Sequence, residues 1–221
     1  MIDLSQHAPF AAGFNRYCYV HPDDPRRCLK VLRPENIDAR YARQAWYKKL
    51  LGKQRINDNR QEWRAYQQPA LKHAGDEAWR HLPKLYPSVV TSLGEANVSD
   101  LILETDGRPG PTLEQYLKER GQTAAIDGAV ARFCDWLRET GVLTRNLLPH
   151  NLVVVTRDDQ PELFLVDGLG APSVPDALSR LPAYRDRYID RKITRFHQRI
   201  AWEAGGRSGS WEDASRIRRS P

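Results

Sequence analysis

Two stretches of this 221-residue chain decide its fold: residues 144–155, which read TRNLLPHNLVVV, and residues 163–170, which read LFLVDGLG. The first is a polar loop that leads into an apolar strand, and the second is an apolar strand that ends in an aspartate and glycines. The sequence RDDQ at residues 157–160 indicates a turn, because aspartate side chains bond back to nearby backbone groups. The pattern predicts a β-hairpin, with Asn151 before its first strand and Asp167 after its second.

Asn151 and Asp167 are expected to lie close together at one end of this hairpin, because the start of its first strand lies beside the end of its second. An amide oxygen and a carboxylate are hard ligands, suited to Mg²⁺ that carries the phosphates of a nucleotide. We therefore expect both residues to be metal ligands, for Mg²⁺ or Mn²⁺ bound with ATP or another nucleotide.

The same segment resembles the catalytic loop of protein kinases, H-R-D-L-K-P-x-N, followed by the metal-binding D-F-G. The matching positions are Arg145, Leu147, Pro149, Asn151 and Asp167. More narrowly, the chain resembles the bacterial YrbL family of PhoP regulatory network proteins, in the start RYCYVHPDD at residues 16–24 and in CLKV at residues 28–31. The resemblance implies a two-lobed, protein-kinase-like α+β fold, with a β-rich N-lobe and a reduced, mainly helical C-lobe.

The implied domain ranges are 1–105 for the N-lobe, 106–204 for the C-lobe with the hairpin, and 205–221 for a disordered basic tail. Residue periodicity and turn residues give the individual elements. The predicted strands are residues 17–20, 28–32, 86–92, 101–105, 152–155 and 163–166, with a turn at 94–97, and the first two are expected to form a hairpin. The predicted helical stretches are 39–68, 112–119, 124–140 and 183–204, and Gly52 and Asn57-Asp58 could divide the first of these into two helices.

The resemblance also implies residues that bind the nucleotide. Lys30 takes the position of the strand lysine that contacts the α and β phosphates, and Glu62 on the following helix is its expected partner. An unpaired ammonium in an apolar strand would be costly, which also calls for a partner. Gly13 takes the position of the glycine-rich loop, and Glu104 is expected to fix backbone near the adenine. The alternatives are a lysine that reaches solvent and an ordinary turn glycine.

The catalytic positions depart from the kinase pattern. Asn146 stands in place of the catalytic aspartate and cannot take a proton from a hydroxyl, and Leu148 stands in place of the lysine that neutralises the γ-phosphate. Gly168 replaces the Phe of D-F-G. Asn146 and His150 are the candidate catalytic residues, with His150 either a base or a simply exposed loop residue.

Two functional hypotheses follow. A positioned general base typically contributes ~10²–10⁴-fold, so the chain could be a slow phosphotransferase that acts on a small-molecule or lipid-linked acceptor. The chain after Asp167 is short for peptide-binding helices, which favours a non-protein acceptor. The alternative is a regulatory pseudokinase that binds a nucleotide or a protein partner without turnover.

The basic residues gather at the end of the chain, which carries a net charge of +6. From Arg180 onward there are 11 Lys and Arg against 5 Asp and Glu, and the rest is neutral. A third hypothesis is therefore an adaptor for nucleic acid or a membrane surface, through a helix that interleaves arginines with Tyr184, Tyr188 and Phe196. Nucleic acid is the less expected partner, because aromatic residues at helical spacing pack on a core.

Composition excludes several classes of protein. No run of 18 apolar residues is present, so we expect no transmembrane helix. The first ten residues, MIDLSQHAPF, have neither a basic start nor an apolar stretch, so we expect no secretory signal. The three cysteines, Cys18, Cys28 and Cys134, are scattered and lack metal-type spacing. These features predict a cytoplasmic protein with reduced thiols.

Overall fold

The computed structural model describes residues 1–43, 46, 57–73, 75–171, 174–208, 210 and 211. The predicted α+β class is confirmed, with antiparallel sheets and helices along the chain. The chain forms two compact units. The first unit contains Met1–Gln67 and Pro83–Leu101, and the second contains Gln68–Leu82 and Ile102–Pro221. The sequence did not indicate that residues 68–82 pack with the second unit.

The first unit is built on a five-stranded antiparallel sheet with the strand order β1-β2-β3-β5-β4. The predicted hairpin of residues 17–20 and 28–32 is present, with Tyr17 opposite Val31. Two described helices, α1 and α2, follow β3. The elements are β1 Ala11–Ala12, β2 Arg16–His21, β3 Asp24–Leu32, α1 Pro34–Ala42, α2 Asp58–Tyr66, β4 Leu85–Thr91 and β5 Gly94–Asp100. Of the predicted helical stretch 39–68, residues 44, 45 and 47–56 lie outside the described residues.

The two faces of this sheet differ in chemistry, because successive side chains of a strand point to opposite faces. One face carries the apolar core of the unit: Leu4, Tyr19, Leu29, Val31, Ala96 and Val98. The other face carries polar groups, and helix α2 lies on it through bonds to Lys30 and Asn97. The first unit thus has an apolar layer on one side of the sheet and a buried polar layer on the other.

Strand β5 differs from the prediction, which placed a turn at residues 94–97 and a strand at 101–105. The turn lies earlier, where the Leu93 N–H donates to Thr91 Oγ1 and the Thr91 hydroxyl donates to Gly94 O. The prediction failed because Asn97 and Ser99 are polar, although both are 1% exposed. In the structure these two polar side chains lie on the buried polar face of the sheet. In the sequence they resemble the polar residues of a loop.

The second unit is mainly helical and contains the predicted β6–β7 hairpin. Its elements are α3 Pro69–His73, a 3-10 helix at Gly75–Trp79, α4 Leu113–Arg120, α5 Ala124–Thr140, β6 Leu152–Arg157, β7 Gln160–Leu165, α6 Asp176–Ser179 and α7 Pro182–Ala204. Helix α4 begins with a reciprocal capping box between Thr112 and Gln115, and α5 ends at Gly141 in the left-handed conformation. The predicted disordered tail, 205–221, lies largely outside the described residues.

Candidate functional site

Lys30 lies at the centre of the buried polar face of the first sheet. In the register of the strands it is opposite Cys18 of β2 and Asn97 of β5. The side chain is buried, and its Nζ lies 2.6 Å from Oε1 of Glu62. The structure therefore brings together the strand lysine and the helix glutamate that the family resemblance implies.

A second cation binds the same carboxylate. Arg16 of β2 donates from its guanidinium to Oε2 of Glu62 at 2.6 Å, and this arginine is itself buried. The Asn97 amide donates to the same Oε2 at 2.9 Å. Each oxygen of Glu62 thus has its own cationic partner, and the two contacts together fix the orientation of the carboxylate.

Amide side chains tie helix α2 to the sheet around this ion pair. Asn59 donates to the backbone carbonyls of Lys30 and Glu95 at 3.1 and 3.4 Å. In the opposite direction, Asn97 donates to the backbone carbonyl of Asn59 at 3.0 Å. Buried polar groups are stable when hydrogen-bond partners satisfy them. This network therefore fixes the position of Glu62 relative to Lys30.

Sequence reasoning found Lys30 and Glu62 but missed Arg16, Asn59 and Asn97. A signal for Arg16 was present: it precedes Cys18 by two residues, and Cys18 pairs with Lys30. Two residues along a strand return to the same face. The register of the first hairpin therefore would have placed both cations on one side of the sheet.

Cys28 lies on the same face as Lys30, two residues earlier on β3. A hydrogen bond with Cys18, followed by burial, raises the pKa of the Cys28 thiol well above its usual range. Cys28 therefore stays a protonated, uncharged neighbour of the ion pair.

Gly13 and Glu104 occupy ordinary structural positions. The Gly13 N–H donates to Arg16 O at 2.9 Å and closes the turn between β1 and β2. A Cβ at Gly13 would meet only that oxygen, at 3.6 Å, so the turn does not require glycine. Glu104 accepts from the Thr156 N–H at 3.0 Å and so anchors the edge of β6. Their roles at a nucleotide stay predictions.

The second unit brings Asn151 and Asp167 side by side. The hairpin register pairs Leu152 with Leu165. The backbone carbonyl of Asn151 then accepts from the N–H groups of Val166 and Asp167, at 3.0 and 3.4 Å. The buried Asn151 amide donates through Nδ2 to Asn146 O at 2.9 Å, so its Oδ1 is the atom suited to a cation.

The glycine after Asp167 is required by close packing against the loop. Gly168 has a φ of +82°, and a Cβ there would lie 2.5 Å from Asn146 O and 3.0 Å from Asn151 Nδ2. Its carbonyl accepts from the N–H groups of Arg145 and Asn146 at 2.8 and 3.3 Å. No larger side chain fits, which explains why the Phe of D-F-G is absent. The buried apolar residue follows one position later, at Leu169.

Helix α7 also supports the loop that contains Asn146. The Tyr188 hydroxyl donates to Thr144 O at 3.0 Å, and the Lys192 ammonium donates to Arg145 O. Burial raises the pKa of Tyr188 and lowers the pKa of Lys192. These two contacts, which sequence reasoning missed, hold the backbone that precedes Asn146.

The two candidate catalytic residues are exposed. Asn146 and His150 are both exposed, although Leu147 and Pro149 between them are buried. His150 lies in a short 3-10 turn, Pro149–Asn151, that leads into β6. Exposure is compatible with contact to a substrate but assigns neither residue a chemical role.

The oxygens of this hairpin suit a divalent cation that arrives with phosphate. Asn151 offers an amide oxygen, and Asp167 offers a carboxylate whose Oδ1 also accepts from the Gly168 N–H at 2.7 Å. Among the described residues, no group of three or more His, Cys, Asp or Glu could hold a metal without other ligands. Mg²⁺ is commonly bound by one or two protein carboxylates and substrate phosphates, so the donor set fits a metal–nucleotide complex.

The Lys30–Glu62 pair and the Asn151–Asp167 hairpin involve the positions that the resemblance in the sequence implies. The family of the PhoP regulatory network protein YrbL matches residues 2–201. The chain therefore belongs to this family.

Two curated relatives are uncharacterized YrbL proteins of Escherichia coli and Shigella flexneri. Each is 27% identical to this chain over 158 residues, which cover 69% of this chain and 65% of the relative. The match thus covers slightly less than two thirds of the length of each relative.

Solved structures similar to this chain include kinase domains of PknI from Mycobacterium tuberculosis. One, from a single mutant, is 17% identical with a TM-score of 0.39, and covers 74% of this chain and 58% of that one. Another, from a double mutant, is 19% identical with a TM-score of 0.42, and covers 76% and 62%.

Proposed function

We propose that this protein binds a nucleoside triphosphate with Mg²⁺ or Mn²⁺ and acts as an atypical, slow phosphotransferase on a non-protein acceptor. The observation that carries the proposal is the buried Lys30–Glu62 pair, with 2.6 Å between Nζ and Oε1. Two pairs of residues support it, each within its own unit: Lys30 and Glu62 in the first, and Asn151 and Asp167 in the second.

Burial of a charged lysine costs free energy of folding. Its presence on a central strand therefore points to a functional role. Ion pairs in protein interiors are often no more stabilising than apolar residues of the same volume. Lys30 is buried on β3, where it is bonded to Glu62 and where an apolar side chain would avoid the cost of burying a charge. A lysine is a common phosphate ligand, and a carboxylate that holds it extended would aim its charge at the α and β phosphates.

The hairpin of the second unit would hold the metal. Asn151 Oδ1 and the Asp167 carboxylate supply oxygens, and Gly168 keeps both close to the loop. A bound Mg²⁺ or Mn²⁺ would neutralise charge on the phosphates. The residues of this chain would orient the phosphates and keep the loop backbone fixed through Tyr188 and Lys192.

Asn146 determines the expected rate. Phosphoryl transfer depends mainly on positioning and electrostatic stabilisation, so loss of the general base lowers the rate by roughly 10²–10⁴-fold rather than abolishing it. An acceptor that is already a good nucleophile would suffer least.

A second candidate function is that of a regulatory pseudokinase. Asn146 and Leu148 favour it, because both replace charged residues that act on the transferred phosphate in kinases. Such a protein would bind the nucleotide as a signal and would not turn it over.

The binding proposal is tested by thermal melting with ATP or GTP, each with and without Mg²⁺ or Mn²⁺. Ligand at about 100 times its Kd stabilises the native state by about 2.7 kcal/mol, which corresponds to roughly 5–10 °C for a chain of this size. Lys30→Met and Asp167→Ala should each lose the shift relative to their own unliganded melting temperature. Glu139→Ala, which removes an exposed carboxylate of the second unit, should keep it. No shift in the wild type under any condition would overturn nucleotide binding.

Turnover separates the two candidate functions. A phosphotransferase should release ADP slowly, faster in Asn146→Asp and not at all in Asp167→Ala. A pseudokinase should bind the nucleotide in the wild type and in Asn146→Asp, with no turnover in either.

A further inference from the structure

The outer face of helix α7 carries a row of arginines. Arg187, Arg191 and Arg195 are exposed and follow one another at intervals of four residues. One helical turn advances about 5.4 Å, so the three guanidiniums lie along a line of roughly 12 Å. We call Arg187, Arg191 and Arg195 the arginine row.

The acidic residues of the same helix are already paired with other arginines. The pairs are Asp186 with Arg185 at 2.8 Å, Asp190 with Arg138 at 3.1 Å, and Glu203 with Arg199 and Arg207 at 2.8 and 2.5 Å. Within the described part of the chain, the arginine row forms no ion pair, and Arg191 only lies over the Tyr188 ring at 5.3 Å. The row is therefore a patch of uncompensated positive charge.

Exposed apolar side chains precede the arginine row in the chain: one in α6, one just before α7 and one in the first turn of α7. Leu178, Leu181 and Tyr184 are 36%, 55% and 40% exposed. Tyr184 precedes Arg187 by three residues and Arg191 by seven, so it lies on the same helical face. Large apolar side chains beside a row of arginines are typical of segments that lie in a membrane interface.

The structure disfavours a single-stranded nucleic acid as the partner of this face. Stacking on bases requires exposed aromatic rings. Tyr188 and Phe196 are 7% and 0% exposed and pack beneath the helix, which leaves Tyr184 as the exposed ring of the three. A nucleic acid would also leave the two leucines without a contact.

We propose that the arginine row, together with the exposed Leu178, Leu181 and Tyr184 that precede it, docks on an anionic lipid surface. The arginines would contact lipid phosphates, while Leu178, Leu181 and Tyr184 would enter the interfacial layer. The proposal concerns a peripheral contact with the lipid surface. Among the described residues, no helix is long and apolar enough to cross a bilayer. The proposal rests on the charge and exposure of α7, independently of nucleotide binding.

The expected strength follows from the charge. Each arginine near an anionic surface contributes about 1 kcal/mol, so removal of three should weaken vesicle binding roughly 100-fold. Binding should also fall steeply with salt, because exposed charges are screened within about 8–10 Å.

The test is co-sedimentation of the full chain with vesicles of phosphatidylcholine alone or mixed equally with phosphatidylglycerol. We expect binding only to the mixed vesicles, lost in Arg187→Ala/Arg191→Ala/Arg195→Ala and reduced in Leu181→Ser. The control Arg60→Ala/Arg64→Ala/Arg80→Ala removes the same charge from other exposed arginines and should retain binding.

Three results would overturn the proposal. They are no binding to mixed vesicles, equal loss in the control triple variant, and binding of a single-stranded oligonucleotide but not of vesicles. Circular dichroism melting of each variant checks that the fold is kept, which is expected because all substituted arginines are exposed.

Discussion

Arg16 and Glu62 form a buried ion pair with 2.6 Å between the guanidinium and Oε2, on the carboxylate whose other oxygen holds Lys30. In protein kinases, a lysine–glutamate ion pair depends on the position of the helix that carries the glutamate. In this chain Arg16, Asn59 and Asn97 add further contacts between helix and sheet. The pair is thereby part of a hydrogen-bonded polar layer within the first unit.

Because Arg16 and Lys30 share the carboxylate of Glu62, substitutions of Glu62 and of Arg16 should lower the free energy of unfolding by different amounts. Glu62→Gln leaves two buried cations without their common anion and should lower the free energy of unfolding by about 3–5 kcal/mol. Arg16→Met leaves the Lys30–Glu62 pair in place and removes one charged hydrogen bond, which costs roughly 2 kcal/mol. Urea denaturation of the purified variants measures both values.

The double variant Arg16→Met/Glu62→Gln supplies the control for this ranking. Because it removes one cation together with the anion, its cost should be smaller than the sum of the single costs by roughly 1–2 kcal/mol. Additive costs, or a larger loss for Arg16→Met than for Glu62→Gln, would show that the two cations do not depend on the same carboxylate.

Gly168 predicts a second contrast, between two glycines with nearly the same backbone conformation. Gly168 and Gly107 have φ of +82° and +81°, but only Gly168 would place a Cβ against another atom, 2.5 Å from Asn146 O. Gly107→Ala should therefore cost about 1–2 kcal/mol through backbone strain alone. Gly168→Ala adds overpacking, typically about 1–3 kcal/mol more.

Melting of both variants with and without the metal–nucleotide complex extends this comparison. Gly168→Ala displaces the loop that holds Asn151 and should lose the ligand-dependent shift, whereas Gly107→Ala should retain it. Equal stability of the two variants would contradict the steric explanation for the missing Phe of D-F-G.

The parts of the fold that sequence predicted well are those specified by neighbouring residues. Helix α4 is defined by the capping box of Thr112 and Gln115, and α5 by Thr123 at its start and Gly141 at its end. The β6–β7 hairpin follows from two apolar runs and the aspartates of the intervening turn. Both turn aspartates, Asp158 and Asp159, have positive φ, which this residue type tolerates better than most.

The parts that sequence did not predict depend on distant residues. In the sequence, Asn97 and Ser99 of β5 resemble the polar residues of a loop. In the structure both are buried, and Asn97 is bonded to helix α2. In the sequence, Arg16 resembles an exposed strand residue. In the structure it is bonded to Glu62, which follows 46 residues later in the chain. Buried polar layers are invisible to an apolar–polar pattern, because the partners that satisfy them are not neighbours in the sequence.

His81 predicts a pH dependence of stability. The ring is buried among Phe133, Trp136 and Phe164, and its Nδ1 lies 2.7 Å from Leu163 O of β7. Burial lowers its pKa to about 4 from the usual 6.5. Between these pH values the unfolded chain binds a proton at this ring and the folded chain does not. The free energy of unfolding therefore falls as pH decreases from 6.5 to about 4, by up to about 3 kcal/mol.

His81→Phe isolates this contribution from that of the carboxylates. Phenylalanine keeps the ring contacts but does not titrate, so the variant should be less stable at pH 7 through loss of the bond to Leu163 O. Its stability should fall less than that of the wild type between pH 6.5 and 4. Parallel stability curves for the two proteins, measured by urea denaturation at each pH, would exclude His81 as the titrating group.

Tyr188 and Tyr184 test whether helix α7 supports the loop before Asn146. Tyr188 is buried and donates its hydroxyl to Thr144 O at 3.0 Å, whereas Tyr184 is 40% exposed and donates to no described residue. Tyr188→Phe should lower the free energy of unfolding by about 1 kcal/mol, the usual net value of one hydrogen bond, and should weaken metal–nucleotide binding. Tyr184→Phe should change neither quantity. Because both substitutions remove a single hydroxyl from the same helix, equal effects would mean that the Tyr188–Thr144 contact does not hold the loop.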